Sequence, residues 1–297
     1  MDTINFMKYK LIYLAISSLV IIPGVISLFI WGLKPSIDFT GGSLWEIKFE
    51  KPTEINTINK IFQEQNLEHL PIQVSGNNQF LIRMAPISEE EKNRAKQRLA
   101  DNFGVVDEIR FETVGPTLGK ELLIKTLTGV ILAAIAILSY VGWRFKDKMY
   151  GVCAVIAMFH DSLVLLGTFS LLGHFLNVEV GTLFVTAVLT VLSFSVHDTV
   201  VVYDRIREST AHSKNRSMGD LANKAITETM TRSLNNSLTI IFMLTALTVL
   251  GGITVKWFAV ALLIGTISGT YSSPFVAVPL LVVVSGVSKK GDSLVKS

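Results

Sequence analysis

The chain has 297 residues, 49% of them hydrophobic and only 17% charged, against roughly a quarter charged in an average globular protein. A mean hydropathy of +0.48 excludes a soluble domain of this size, and a formal charge of +3 gives no basis for nucleic-acid binding. The single cysteine, Cys153, lies inside an apolar run and excludes a disulfide framework.

The first apolar stretch, 11–33, lacks the small-residue cleavage pattern of a signal peptide and reads as a retained helix. Residues 34–118 change character, becoming polar and charged. Ser43 to Phe49 alternates with period two, as a half-buried strand does. Ile55, Ile58, Ile61 and Phe62 fall at helical spacing within 53–65. Two short strands, 72–75 and 79–84, meet at Gly76-Asn-Asn78, and Ser88 with Glu91 forms a capping-box pattern that opens a second helix. A last strand spans 105–114. The order β-α-β-β-α-β is that of a ferredoxin-like α+β unit, a fold that hosts many activities and names none. The domain has one histidine, His69, and no glycine-rich phosphate loop. It therefore reads as a binding or mechanical module.

Five further stretches, 121–143, 150–172, 180–203, 234–255 and 257–286, are each long enough to cross a hydrocarbon core of roughly 30 Å. The last two are divided by the Gly251-Gly252 turn. The organisation expected is 1–33 (N-terminus and first span), 34–118 (inserted domain), 119–286 (spans two to six) and 287–297 (tail). Lys8 and Lys10; Arg144, Lys146 and Lys148; Arg205, Arg207, Lys214, Arg216 and Lys224; and Lys289, Lys290 and Lys296 then all fall on one side, which the positive-inside bias makes the cytoplasm. Both termini are expected there, and the inserted domain outside. Trp31, Trp143 and Trp257 sit at span ends, where indoles anchor at the headgroups.

Ionisable residues at bilayer depth cost about 2.5–3.5 kcal/mol each on insertion scales and are functional hypotheses by default. Asp161 falls near the middle of the third span and Asp198 inside the fourth, each after a histidine, His160 and His197. Neighbouring helical positions do not face one another, so partners are expected from other helices. Arg232, Asn235, Asn236 and Thr239, spaced i, i+3, i+4, i+7, make a polar stripe on the fifth span that is expected to point into the bundle and bring Arg232 within reach of Asp198. Burial and a neighbouring arginine push a carboxylate in opposite directions, as a proton-carrying group requires. A static ion pair, and for Asp161 a simple hydrogen-bonded helix contact, are the alternatives. The histidines read as polar contacts rather than metal ligands, since no HExxH pattern accompanies them. The fourth span ends in a charged turn, Asp204, Arg205, Arg207 and Glu208, explained by a solvated helix end. Gly265 and Gly269 form a GxxxG element suited to packing within the bundle. Pro274, four residues after Thr270, implies a kink whose freed carbonyl finds a local donor. No nucleophile–base or metal constellation is present, so no enzyme activity, cofactor or metal is expected.

The run Asp38 to Gly42 (DFTGG), His160-Asp161, the run Ser195 to Glu208 (SVHDTVVVYDRIRE) and the run Thr231 to Leu238 (TRSLNNSL) together resemble the SecD/SecF family of protein-export membrane subunits, on the SecF side. The resemblance covers nearly the whole chain. It implies an RND-type architecture in which two six-helix halves form a twelve-helix unit, this chain being one half and SecD the other. It further implies work beside the SecYEG translocon and accessory Sec membrane proteins, drawing unfolded secreted polypeptide across the bacterial inner membrane with the proton-motive force (sodium in some members). By position Asp198 matches the family's intramembrane aspartate and Arg232 its paired arginine. His197 stands where the family usually has Asn, and Asn236 where it often has Thr. Gly41 and Gly42, beside one tether of the inserted domain, suit a hinge. A structural subunit without ion coupling and half of an RND-type small-molecule or lipid exporter are the rival readings, the second disfavoured by an insertion of only about 85 residues.

Overall fold

Long apolar runs and short alternating ones segregate along the chain, and the computed structural model, which describes residues 5–145, 147–212 and 216–295, keeps them apart. It divides into a helical unit, up to Lys34 and from Gly129 on, and a smaller unit from Pro35 to Thr128. Lys146, Lys214 and Lys296, three of the cations used to orient the spans, lie outside the described residues.

In the smaller unit a short helix α2 (Ile37–Thr40) is capped by Ser36, whose hydroxyl accepts from the Asp38 N–H, and precedes β1 (Gly42–Phe49). Then come α3 (Ile55–Glu64), β2 (Gln73–Gly76), β3 (Gln79–Met84), α4 (Glu89–Phe103) and β4 (Val106–Val114). The strands pair in the order β2-β3-β1-β4, with every neighbour antiparallel, the ferredoxin-like arrangement expected from the element order. Trp45, Ile47 and Phe49 of β1 pack fully buried against Ile58, Phe62 and Leu99 of the two helices. Glu46, turned to the opposite face, is also buried, its carboxylate accepting from Ser75 Oγ and Gln79 Nε2 at 2.7 Å each. Period-two alternation implied one covered face; β1 is central, and its second face is covered as far as Glu46, with Lys48 exposed.

The capping box opening α4 is present: Glu91 Oε2 accepts from the Ser88 N–H at 2.8 Å and Ser88 Oγ from the Glu91 N–H at 3.3 Å. Gly41 and Gly42 have φ of +75° and +122°, left-handed values that favour glycine. A methyl group on Gly41 would lie 2.9 Å from Pro116 Cα and one on Gly119 2.8 Å from the Gly41 nitrogen. Gly41 is thus seated against the start of the helix that follows β4, while Gly42 faces the Met84 carbonyl.

The spans are α1 (Lys10–Ile30), α5 (Pro116–Arg144), α6 (Lys148–Leu176), α7 (Thr182–His212), α8 (Met218–Leu250) and α9 (Ile253–Ser272), which continues through a wide π-type turn, Ser273–Ala277, into α10 (Val278–Val295). Asp147 caps α6 by accepting from the Met149 N–H, and Gly251 and Gly252 close α8 and open α9. The sequence placed the fifth span from 234; α8 begins four turns earlier, because Leu221, Ala222, Ala225 and Ile226 form a buried apolar stripe on a helix otherwise polar there. The disruption expected at Pro274 is the π-type turn, but Thr270 Oγ1 sits 2.7 Å from both Ser237 Oγ and the Thr266 carbonyl, not on the freed one.

α6 and the α9–α10 span are the most enclosed, whereas none of the most apolar stretch of α5 is buried. α1 meets α6 backbone to backbone: a methyl on Gly167 would lie 2.6 Å from Gly24 Cα. One turn on, Ser27 and Ser170 hydroxyls bond at 2.7 Å. Gly265 of the GxxxG element receives Val191 of α7, a packing role within the bundle. At the other end the Met7 N–H donates to Asn223 Oδ1 at 2.9 Å, fastening the chain's start to α8.

Two outcomes follow. Gly167→Val drives α1 off α6 and is expected to cost about 1–3 kcal/mol, read as a lower Tm in detergent. Glu91 is held below its ordinary 4.5 by the Ser88 backbone and hydroxyl. Its folded value is depressed, so the contribution is complete above 4.5 and fades as pH falls through the folded value. Amide protection of the first turn of α4, corrected for intrinsic exchange, is expected to drop only below that point, and in Glu91→Gln to lose this pH dependence.

Candidate functional site

Asp161, carried near the middle of α6, is fully buried. Its Oδ1 accepts from Ser268 Oγ at 2.6 Å and its Oδ2 from Ser272 Oγ at 2.7 Å. These serines are four apart on α9 and so share one face. A third contact comes from its own neighbour: His160 Nδ1 lies 3.0 Å from Asp161 Oδ1. The sequence reading excluded this pairing. It holds because Nδ1 is the ring nitrogen close to the backbone, so the imidazole leans along the helix surface instead of projecting from it. Hydrogen bonds to a charged group are worth about 1.5–3 kcal/mol each, enough together to offset burial of the carboxylate.

Asp198 lies elsewhere, half-buried on α7, at a cavity of about 300 Å³ that it lines with His197, Asn236, Ser237, Gly269 and Thr270. His197 and Arg232 are close enough to act on its charge, but no Asp198–Arg232 contact within 4.0 Å occurs among the described residues. The polar stripe is rotated from its expected direction. Arg232, Asn235, Asn236 and Thr239 are all exposed, while Ser237 and Leu244 turn inward. A polar stripe avoids lipid, and sequence does not say whether it turns to its own bundle or to another body. Here only Asn236 reaches the Asp198 cavity. α9 separates the two carboxylates: Ser268 and Ser272 hold Asp161, and Thr266 and Thr270, about 200° around the helix, line the Asp198 cavity.

The charged end of α7 is knitted to its neighbours. Asp204 pairs with Arg144 of α5, and Arg205 bridges Glu208 and Glu228 of α8 at 2.6 and 2.5 Å. Arg207 is exposed. Asp38, half-buried in α2, belongs to the smaller unit, as do Gly41 and Gly42. The sequence missed Ser268, Ser272 and Ser237. The i, i+4 serine pair in an apolar span was the available signal, overshadowed by the glycines around it.

Two family models match the chain. The C-terminal model of the protein export membrane proteins SecD/SecF matches residues 94–287, and the SecD/SecF GG motif matches 26–53. The chain belongs to the SecD/SecF family. Among its relatives, the protein translocase subunit SecF of Thermobaculum terrenum is 40% identical over 94% of this chain and 93% of that protein. The SecF of Anaerolinea thermophila is 39% identical over 94% of each. The crystal structure of SecDF, a translocon-associated membrane protein from Thermus thermophilus, superposes with a TM-score of 0.85 at 31% identity, covering 96% of this chain and 39% of that one. SecDF in its super-membrane-facing form gives 0.68 at 29% identity, covering 100% and 40%. The chain thus spans about two fifths of SecDF and nearly all of each SecF relative. The six spans and the ferredoxin-like insertion are those of a multi-pass SecF-type membrane subunit.

Removing one hydroxyl from the Asp161 site leaves the buried charge short of a donor. Ser268→Ala and Ser272→Ala are each expected to cost about 1.5–3 kcal/mol in reversible unfolding from mixed micelles. The double variant should depart from additivity because both act on one carboxylate.

Proposed function

We propose that the chain is the SecF half of an export motor in the bacterial inner membrane, with both termini cytoplasmic. It pairs with SecD beside the SecYEG translocon and accessory Sec proteins and draws unfolded polypeptide outward with the proton-motive force. The observation that carries this reading is the polar face left uncovered at bilayer depth, where His197 of α7 and Arg232, Asn235, Asn236 and Thr239 of α8 are exposed. Against hydrocarbon each would be costly; against a second six-helix body they become an interface. A SecDF chain to which this one contributes two fifths supports such a pairing.

Asp198 stands at the edge of that face, at a cavity large enough for several waters. A proton arriving on its carboxylate cancels the charge that attracts Arg232, and moving that proton through the membrane field supplies about 2.3 kcal/mol per 100 mV. The two protonation states then favour two arrangements of α7 against α8. His197, exposed beside the carboxylate, tunes its proton affinity. The inserted domain is joined to α1 and α5, and Gly41, seated on the start of α5, passes helix movement into the domain.

Asp198→Asn is expected to insert and bind SecD normally, while ion-driven export by reconstituted vesicles falls to the level seen without the pair. Arg232→Ala should behave alike, with SecD co-purification also weakened. Wild-type export by Asp198→Asn would refute ion coupling at this site. Undiminished export by Arg232→Ala would make the chain a structural subunit.

A further inference from the structure

The buried His160 side chain has one nitrogen accounted for and one not. Nδ1 faces Asp161 Oδ1, and with the carboxylate's other contacts supplied by serine hydroxyls, Nδ1 is its proton donor. Nε2 is then a lone-pair acceptor, and it is buried without a hydrogen-bond partner among the described residues. Ser17 Oγ of α1 and Ser195 Oγ of α7 are among the other polar atoms that share that condition. A buried polar atom left without a hydrogen bond is costly. Their positions are related. α1 and α6 run side by side with Gly24 at Gly167 and Ser27 at Ser170, a constant offset of 143 residues. The same offset puts Ser17 level with His160. Ser195 lies across α9, where a methyl on Gly269 would approach both Ser195 Cα, at 3.6 Å, and Asp161 Oδ2, at 3.8 Å. Gly269 also lines the Asp198 cavity, so a single residue without a side chain divides the two carboxylate sites.

We infer that His160 and Asp161 form a second proton-accepting site inside the bundle, in which His160 Nε2 takes the proton, Asp161 orients the ring and balances its charge, and Ser17 completes the polar pocket. The step is a simple transfer. A hydronium ion gives its proton to the Nε2 lone pair, an N–H bond forms, an O–H bond breaks, and water is left. The pair passes from a net charge of −1 to an internal ion pair of zero net charge. That change is tolerable in a low-dielectric bundle, where an isolated imidazolium is not. The titratable groups in the apolar stretches of the helices around it are Tyr13 on α1, His197 and Asp198 on α7 and Tyr271 on α9, with Lys10 and Lys256 near the starts of α1 and α9 and the charged turn 204–208 beyond. Towards the cytoplasmic end lie Cys153, Tyr150 and Tyr203, and α10 carries titratable residues only from Lys289 on. Among the described residues Asp161 is the one acidic group in contact with the ring. As a station on an ion path this site rests on the role given to Asp198 above; as a proton-binding site it does not.

The test is ¹⁵N NMR of histidine-labelled full-length chain with its partner in lipid nanodiscs, His160 being assigned by loss of its signals in His160→Gln. Wild type is expected to show an Nδ1–H tautomer that converts to the doubly protonated ring as pH is lowered over roughly 8 to 5. The step should persist in Asp198→Asn and disappear in Asp161→Asn. A ring that stays neutral throughout that range overturns the proposal, and so does an unchanged step in Asp161→Asn. If Asp161→Asn does not fold, the wild-type titration decides. Normal export by Asp198→Asn would sink the earlier reading without touching this one, since the His160 step is read without export.

Discussion

A negative charge in the middle of a membrane has to be met by donors, and in this chain that requirement fixes the bundle's centre. Asp161 reaches α9 through Ser268 and Ser272, and each oxygen has its own hydroxyl. With both oxygens bonded to serines four apart on α9, the contact ties the rotation of the two helices to their relative depth. The close approach at Gly24 and Gly167 then places α1, and the seating of Val191 on Gly265 places α7. Dispersion and small-residue packing fill the remaining space, as expected where lipid offers apolar side chains no advantage in meeting one another.

The second carboxylate obeys the opposite logic. Asp198 is only half-buried and lines an open cavity, with exposed polar side chains beside it on α7 and α8. One acid is fully solvated by protein and the other is left to water and to a neighbour. A carboxylate met by protein donors and one that lines an open cavity thus stand on opposite sides of α9.

Much of this was legible beforehand because it is local. Hydropathy marked the spans, alternation and the Ser88–Glu91 pair marked the ferredoxin-like unit, and the glycines at 251 and 252 marked the turn between α8 and α9. What sequence could not supply was azimuth. The periodicity of Arg232, Asn235, Asn236 and Thr239 identified a face without saying which body it meets, and α8 turned it outward. The i, i+1 rule failed at His160 because it describes Cβ directions, while the imidazole reaches sideways along the helix. The serines of α9 went unread since a hydroxyl in an apolar span carries little weight until a carboxylate is placed opposite it.

The fastening of Met7 to Asn223 gives α1 a fixed foot. α8 bears Arg232 and, about two and a half turns earlier, holds through Asn223 the segment from which α1 rises; α1 is in turn one of the two helices that lead to the smaller unit. A shift of α8 along its axis therefore cannot stay local, because the rod anchored to it must travel too. The two helices are geared at this end, through a hydrogen bond that joins α8 to the foot of α1 without passing through the loops between the spans.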